Sequence, residues 1–229
     1  MNPNYTYVIT FIIMLILPIL AEIYVTVTFK KYNMVRNSRG LTSDRVARMI
    51  LDSNGLFDTK VEFISGTLSD HYDPRANVVR LSNSTYGQIS VAAIGVAAHE
   101  CGHACQHAER YLPIRLRTAI VPVTNICSRL WYLVFLGGVL LSNMTIGTNL
   151  IFVSIVMFAA VVLFQLVTLP TEINASRRAM ATLERDGILE ADELPKARKV
   201  LTAAALTYVA GLIVSIMQLL RLLAPFRRR

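Results

Sequence analysis

The sequence predicts an α-helical membrane protein with about four transmembrane helices and a small α+β domain between them. Three observations carry this. Hydrophobic residues fill 54% of the 229 positions and charged residues only 17%, whereas a soluble domain carries about 25% charged residues. The apolar residues gather into four runs of roughly the 20 residues needed to cross a bilayer. The Lys and Arg residues, which bring the net charge to +8, flank those runs, so they point to a lipid bilayer and not to a nucleic acid. The composition excludes intrinsic disorder, which needs low hydrophobicity and high charge. Cysteines at positions 101, 105 and 127 are too few, and odd in number, for a disulfide framework.

The first span is residues 5–29. Its one charge is Glu22, and Lys30-Lys31 follow it. An uncharged start, a long apolar run and a basic cluster after it read as a retained anchor and not as a cleaved signal peptide. The second span is 118–142, with Pro122, Asn125 and Arg129 in its first half. The third, 150–169, is free of charge, and the short link 143–149 makes the two a helical hairpin. The fourth is 200–223, interrupted by Arg221. Segment 30–117 holds 12 Lys and Arg residues and segment 171–199 holds six, while the hairpin tip holds none. By the positive-inside rule both larger segments face the cytoplasm of a bacterial cell, in a multi-pass protein of the cytoplasmic membrane. The terminal Arg227-Arg228-Arg229 resists this scheme. Either the rule is violated there, or the last helix does not fully cross.

Two regions can fold in water. In 30–117, Thr42-Ser43-Asp44 opens a helix that Gly55 ends. Residues 61–65 and 77–81 alternate as strands, separated by the polar turn Asp70-His71-Tyr72-Asp73-Pro74-Arg75. Strand 77–81 is either an edge on which an extended peptide adds or is covered by pairing with 61–65. An Ala-rich helix is expected over 86–108. In 170–199, a helix should begin at Pro170 and run to about Arg185, turn at Asp186-Gly187, and lead into the last span.

The Ala-rich helix contains His99-Glu100-Cys101-Gly102-His103. Positions i and i+4 share one helix face, about 6 Å apart along the axis, so both imidazoles can converge on one Zn2+ ion. Glu100 beside them is placed to accept a proton from a water that the metal acidifies. Gly102 lets another element approach closely. This is the chemistry of a zincin-like peptidase domain. A catalytic zinc takes three protein ligands and leaves one position open. His107 continues the series but lies about 12 Å along the axis from His99, too far for one ion. His71 lies in the polar turn and reads as a cleft residue. Glu172, just past Pro170 and beside an apolar wall, is the third candidate. Cys101 and Cys105 read as packing residues on the same helix.

Taken together, Asp70-His71-Tyr72-Asp73-Pro74-Arg75, His99-Glu100-Cys101-Gly102-His103-Ala104 and Glu172-Ile173-Asn174-Ala175-Ser176-Arg177 resemble the YugP-like family of bacterial membrane zinc metallopeptidases, the neutral zinc metallopeptidases. The resemblance covers most of the chain, including the order of spans. It is similar, more distantly, to membrane peptidases whose third ligand comes from a Glu-x-x-x-Asp helix, in which the Asp orients a zinc-bound histidine. Ser176 stands where that Asp would be, and implies a hydroxyl partner for an imidazole.

The expected activity is that of a zinc metalloendopeptidase acting on protein or peptide substrates, with membrane-protein quality control as a setting and membrane proteins as further partners. His99, His103 and Glu172 would hold the metal and Glu100 would move the proton. Ser176, His71, Arg177 and Arg178 are the candidates for positioning an imidazole or stabilising the oxyanion. Two rivals come from other classes. One is a catalytically weak zinc-site adaptor or scaffold, which would bind zinc without hydrolysis. The other is an intramembrane protease, which expects an Asp-Gly ligand motif in an apolar helix. Here Asp186-Gly187 lies in a charged stretch.

Overall fold

The structure, a computed structural model, describes residues 3–224, with side chains from residue 8 onward. The terminal Arg227-Arg228-Arg229 lies outside the described residues. The elements in chain order are α1 (Pro3–Asn33), α2 (Ser43–Ser53), β1 (Lys60–Ile64), β2 (His71–Asp73), β3 (Val78–Ser82), α3 (Val91–Ala108), α4 (Leu112–Leu140), α5 (Thr145–Arg185) and α6 (Leu194–Leu223). Among the described residues, α1, α4, α5 and α6 are long and apolar enough to cross a membrane. The chain divides into two compact units.

The first unit comprises residues 1–20, 115–169 and 208–229. Its interior is sparse and apolar: Ile155, Phe158, Val162 and Leu222 are buried, with Trp131 packed against them. The Trp131 and Phe158 rings are 4.6 Å apart, within the range of favourable aromatic pairs. Many of its large apolar side chains, Phe152 and Leu133 among them, face outward. That pattern is stable only where the solvent is itself hydrocarbon. The link between α4 and α5 is tight because residue 147 has no side chain. A Cβ on Gly147 would collide with the Leu141 carbonyl.

The second unit comprises residues 21–114 and 170–207. Its sheet has the order β1-β3-β2, with β1 parallel and β2 antiparallel to β3. Along β3, Val79 and Leu81 are fully buried among the helices with Ile50, Leu51, Ile94, Leu183 and Ile188. Arg80 points to the opposite face, as the two-residue period of a strand requires. There it pairs with Asp73 at 2.8 Å and Glu62 at 3.7 Å.

Several local expectations are corrected. Of the two readings of 77–81, pairing with 61–65 is the one observed: β1 pairs with β3, which is central with both edges occupied, so it is not an edge that can accept a peptide; the free edges belong to β1 and β2. The polar turn around His71 contains the three-residue strand β2, too short to show a period in sequence. Helix α3 starts at Val91 and not at Tyr86. The Ser90 hydroxyl accepts the Ala93 N–H at 3.1 Å, satisfying a donor that the helix leaves open at its first turn. Pro170 starts no new helix. It lies inside α5, which is continuous. An interior Pro costs about 3 kcal/mol through its lost N–H and ring clash. The turn beyond it is held from outside, where Gln106 Nε2 donates to the Thr171 carbonyl at 2.8 Å.

Candidate metal centre

Helices α3 and α5 meet where residue 102 is glycine. A Cβ there would stand 2.7 Å from the Ala175 carbonyl oxygen, inside any tolerable contact. The sequence expectation for Gly102 is met, and the element that approaches is α5. This close approach brings Glu172, which is 2% exposed, against one face of α3. Glu172 Oε2 lies 3.2 Å from His99 Nε2 and 3.4 Å from His103 Nε2. One donor atom from each of the three residues lies within 4.8 Å of the others. The two imidazole rings stand edge to face at 84°.

The remaining ring nitrogens are also held. His99 Nδ1 is 3.1 Å from Ser176 Oγ. His103 Nδ1 is 3.0 Å from Gln106 Oε1. Gln106 is fully buried, and its amide orientation is set by its own partners. Its Nε2 donates to the Thr171 carbonyl and to Asn174 Oδ1, at 2.8 and 2.9 Å. Oε1 is therefore an acceptor, so His103 Nδ1 donates to it. In the neutral ring this leaves the Nε2 lone pair directed at Glu172. That lone pair and the Glu172 carboxylate are then two acceptors face to face, an arrangement that a positive charge between them makes favourable. Burial by itself disfavours a His103 cation, but the Glu172 hydrogen bond and the neighbouring carboxylates outweigh it and raise the ring's pKa. The centre is built to hold positive charge.

The donor set fits a divalent metal. Tetrahedral zinc with bonds of about 2.0–2.1 Å separates its ligand atoms by roughly 3.3 Å, and the two nitrogen–oxygen separations of 3.2 and 3.4 Å match that edge. Two imidazole nitrogens and a carboxylate oxygen suit zinc over calcium or magnesium, which favour all-oxygen sites. The Gln106 acceptor fixes the His103 tautomer that presents Nε2, and the Ser176 hydroxyl is within reach to accept from His99 Nδ1.

Glu100 is 8% exposed, and its Oε2 accepts the Tyr72 N–H of β2 at 3.0 Å. The short strand thus holds the carboxylate that neighbours His99. Ser176 meets an imidazole. The other candidates are placed differently. His71 shares the outer face of the sheet with Arg80, its Nδ1 2.9 Å from the Ser69 carbonyl. Arg178 is committed to Glu109 through two hydrogen bonds of 2.6 and 2.7 Å, and to Asn174 at 2.8 Å. Arg177 is exposed and lines a cleft between α5 and α6 that Ser176 also borders. Burial pushes the Cys101 thiol well above its usual pKa and also raises Cys105, so both stay neutral and pack. Gln106, Asn174 and the Tyr72 backbone were not anticipated. Gln106 had a readable signal: it follows His103 by three residues, on the same helix face.

The fold and the site together define a helical protein with membrane-length apolar helices and a His–His–carboxylate centre suited to zinc. Comparison with known families agrees. A family described as "Putative neutral zinc metallopeptidase" matches residues 7–227. The chain is 47% identical, over 206 residues and 90% of each chain, to a Bacillus subtilis (strain 168) protein named "Putative membrane protease YugP". The protein belongs to this family. No solved structure matches it.

Proposed function

We propose that the protein is a membrane-embedded zinc metalloendopeptidase that hydrolyses peptide bonds of protein substrates, membrane proteins under quality control among them. The observation that carries this reading is the convergence of His99 Nε2, His103 Nε2 and Glu172 Oε2, with both outer ring nitrogens already held. These three residues would hold zinc. Bound there, zinc supplies Lewis acidity, lowering the pKa of a water and polarising the scissile carbonyl. Glu100 accepts the proton of the attacking water and returns it to the leaving amine. The Tyr72 N–H keeps the Glu100 carboxylate oriented between those steps. Ser176 and Gln106 keep the rings aimed. In the test, protein stripped with a chelator should lose hydrolysis of an unfolded protein substrate, and stoichiometric zinc should restore it. Hydrolysis unaffected by metal removal, or zinc binding without hydrolysis, would defeat the reading. The second result would favour the adaptor.

The 12 and six basic residues of the two larger segments support a reading in which the sheet and α3 face the cytoplasm of a bacterial cell. In a cysteine-free background, a membrane-impermeant thiol reagent added outside intact cells should label Thr145→Cys at the start of α5. It should leave Thr67→Cys, in the exposed loop before β2, unlabelled. Labelling of position 67 from outside would reverse the orientation.

A further inference from the structure

We propose that the cleft between α5 and α6, closed on one side by α1, binds the phosphate group of an anionic phospholipid. Two cavities of about 480 and 490 Å³ lie along it and share Glu184, Arg198 and Thr202, each of a size suited to a small polar ligand. Arg177 lines the first cavity, and Lys199 lines the second with Tyr24 of α1. Arg177, Arg198 and Lys199 are exposed, and none of their side chains has a hydrogen bond or ion pair with another described residue. Neighbouring arginines are matched: Arg178 holds Glu109 and Arg185 holds Asp186. Glu184 is the one carboxylate among the lining residues, so three cations face one anion. That surplus fits a phosphate diester, which guanidinium groups bind through paired, charge-assisted hydrogen bonds.

The placement of the cations argues for a lipid and not for free phosphate. Arg198 and Lys199 directly precede Val200, where the apolar run of α6 begins, and Tyr24 lies within the apolar run of α1. Basic side chains and tyrosines at such a boundary sit at headgroup level. Below them, Leu201 and Ala205 give the cavity an apolar wall, suited to the glycerol and upper acyl carbons. Basic pockets between membrane helices on the cytoplasmic side meet an anionic leaflet. The inference rests on the membrane placement of α1 and α6 and not on the hydrolytic reading, and its readout is lipid retention.

The test uses full-length protein in detergent with equal amounts of phosphatidylglycerol and phosphatidylcholine of identical acyl chains, read by native mass spectrometry. The wild type should retain phosphatidylglycerol about tenfold more tightly than phosphatidylcholine. Arg198→Gln combined with Lys199→Gln should weaken phosphatidylglycerol binding about tenfold or more, to the phosphatidylcholine level. Lys60→Gln with Arg75→Gln, an equal charge loss at the sheet, should leave it unchanged. Arg177→Gln, on the facing wall, repeats the test should the double variant fail to fold. Inorganic phosphate at millimolar concentration should not displace the lipid. Equal retention of the two lipids by the wild type, undiminished binding in the cleft variants, equal loss in the sheet variant, or displacement by phosphate would each overturn the proposal.

Discussion

Glu100→Gln should abolish hydrolysis while the protein keeps its fold and its zinc. Glutamine preserves the length and planarity of the side chain, and its carbonyl oxygen can still accept the Tyr72 N–H that the carboxylate accepts at 3.0 Å. What it loses is the ability to take a proton. General-base removal costs about 10²–10⁴-fold in rate, and loss of the negative charge beside the developing transition state adds to it. A fall in turnover of about 10³-fold or more is expected, roughly 4 kcal/mol of barrier. Zinc content per chain should match the wild type, because Glu100 is not among the three converging donors. Turnover near the wild-type value would remove Glu100 from its assigned role. Lost zinc with lost activity would instead make it part of the metal-holding set.

Glu172→Ala should act on the metal and, through it, on stability. The variant removes the oxygen that both Nε2 atoms face and leaves two imidazoles with no carboxylate between them. Zinc affinity should fall on the order of 10²-fold or more, since even indirect partners of a ligand are worth about 10–100-fold. Wild-type protein with zinc at about 100 times its Kd gains about 2.7 kcal/mol from binding, which corresponds to roughly 5–10 °C in melting temperature for a chain of this size. The variant should lose that gain, and a chelator should bring the two proteins closer together. His71→Ala is the contrasting control, because its ring contacts Ser69 and Arg80 on the outer face of the sheet. Metal analysis and thermal melts with and without chelator decide the matter. Full zinc in Glu172→Ala, with zinc lost from His71→Ala, would move the third ligand elsewhere.

The sequence alone was enough for everything written in consecutive residues. The four apolar runs, the basic flanks, the paired imidazoles at i and i+4 and the turn at Asp186-Gly187 all reappear in the structure. Each is a local pattern: helix period and chain hydropathy are set by neighbours within a few positions. Glu172 was chosen from sequence by its place beside an apolar run. Its meeting with His99, 73 positions earlier, depends on how closely α5 can approach α3. That closeness is set by the missing side chain at Gly102 against Ala175, which the sequence hinted at without naming the partner. The expectation of a helix start at Pro170 failed: α5 runs through that position, and the intrinsic backbone preference of one residue did not decide the element. Of the two readings of 77–81, pairing with 61–65 held; the edge alternative failed because strand order is a property of pairing, and β2 was too short to announce itself. The orientation of Glu100 by the Tyr72 N–H, and of His103 by an amide itself held from α5, were decided only in three dimensions. The spacing of Gln106 from His103 was readable, but a backbone donor such as the Tyr72 N–H and the partners that hold an amide carry no pattern along the chain. Their partners are chosen when packing removes water and every buried polar group must find another.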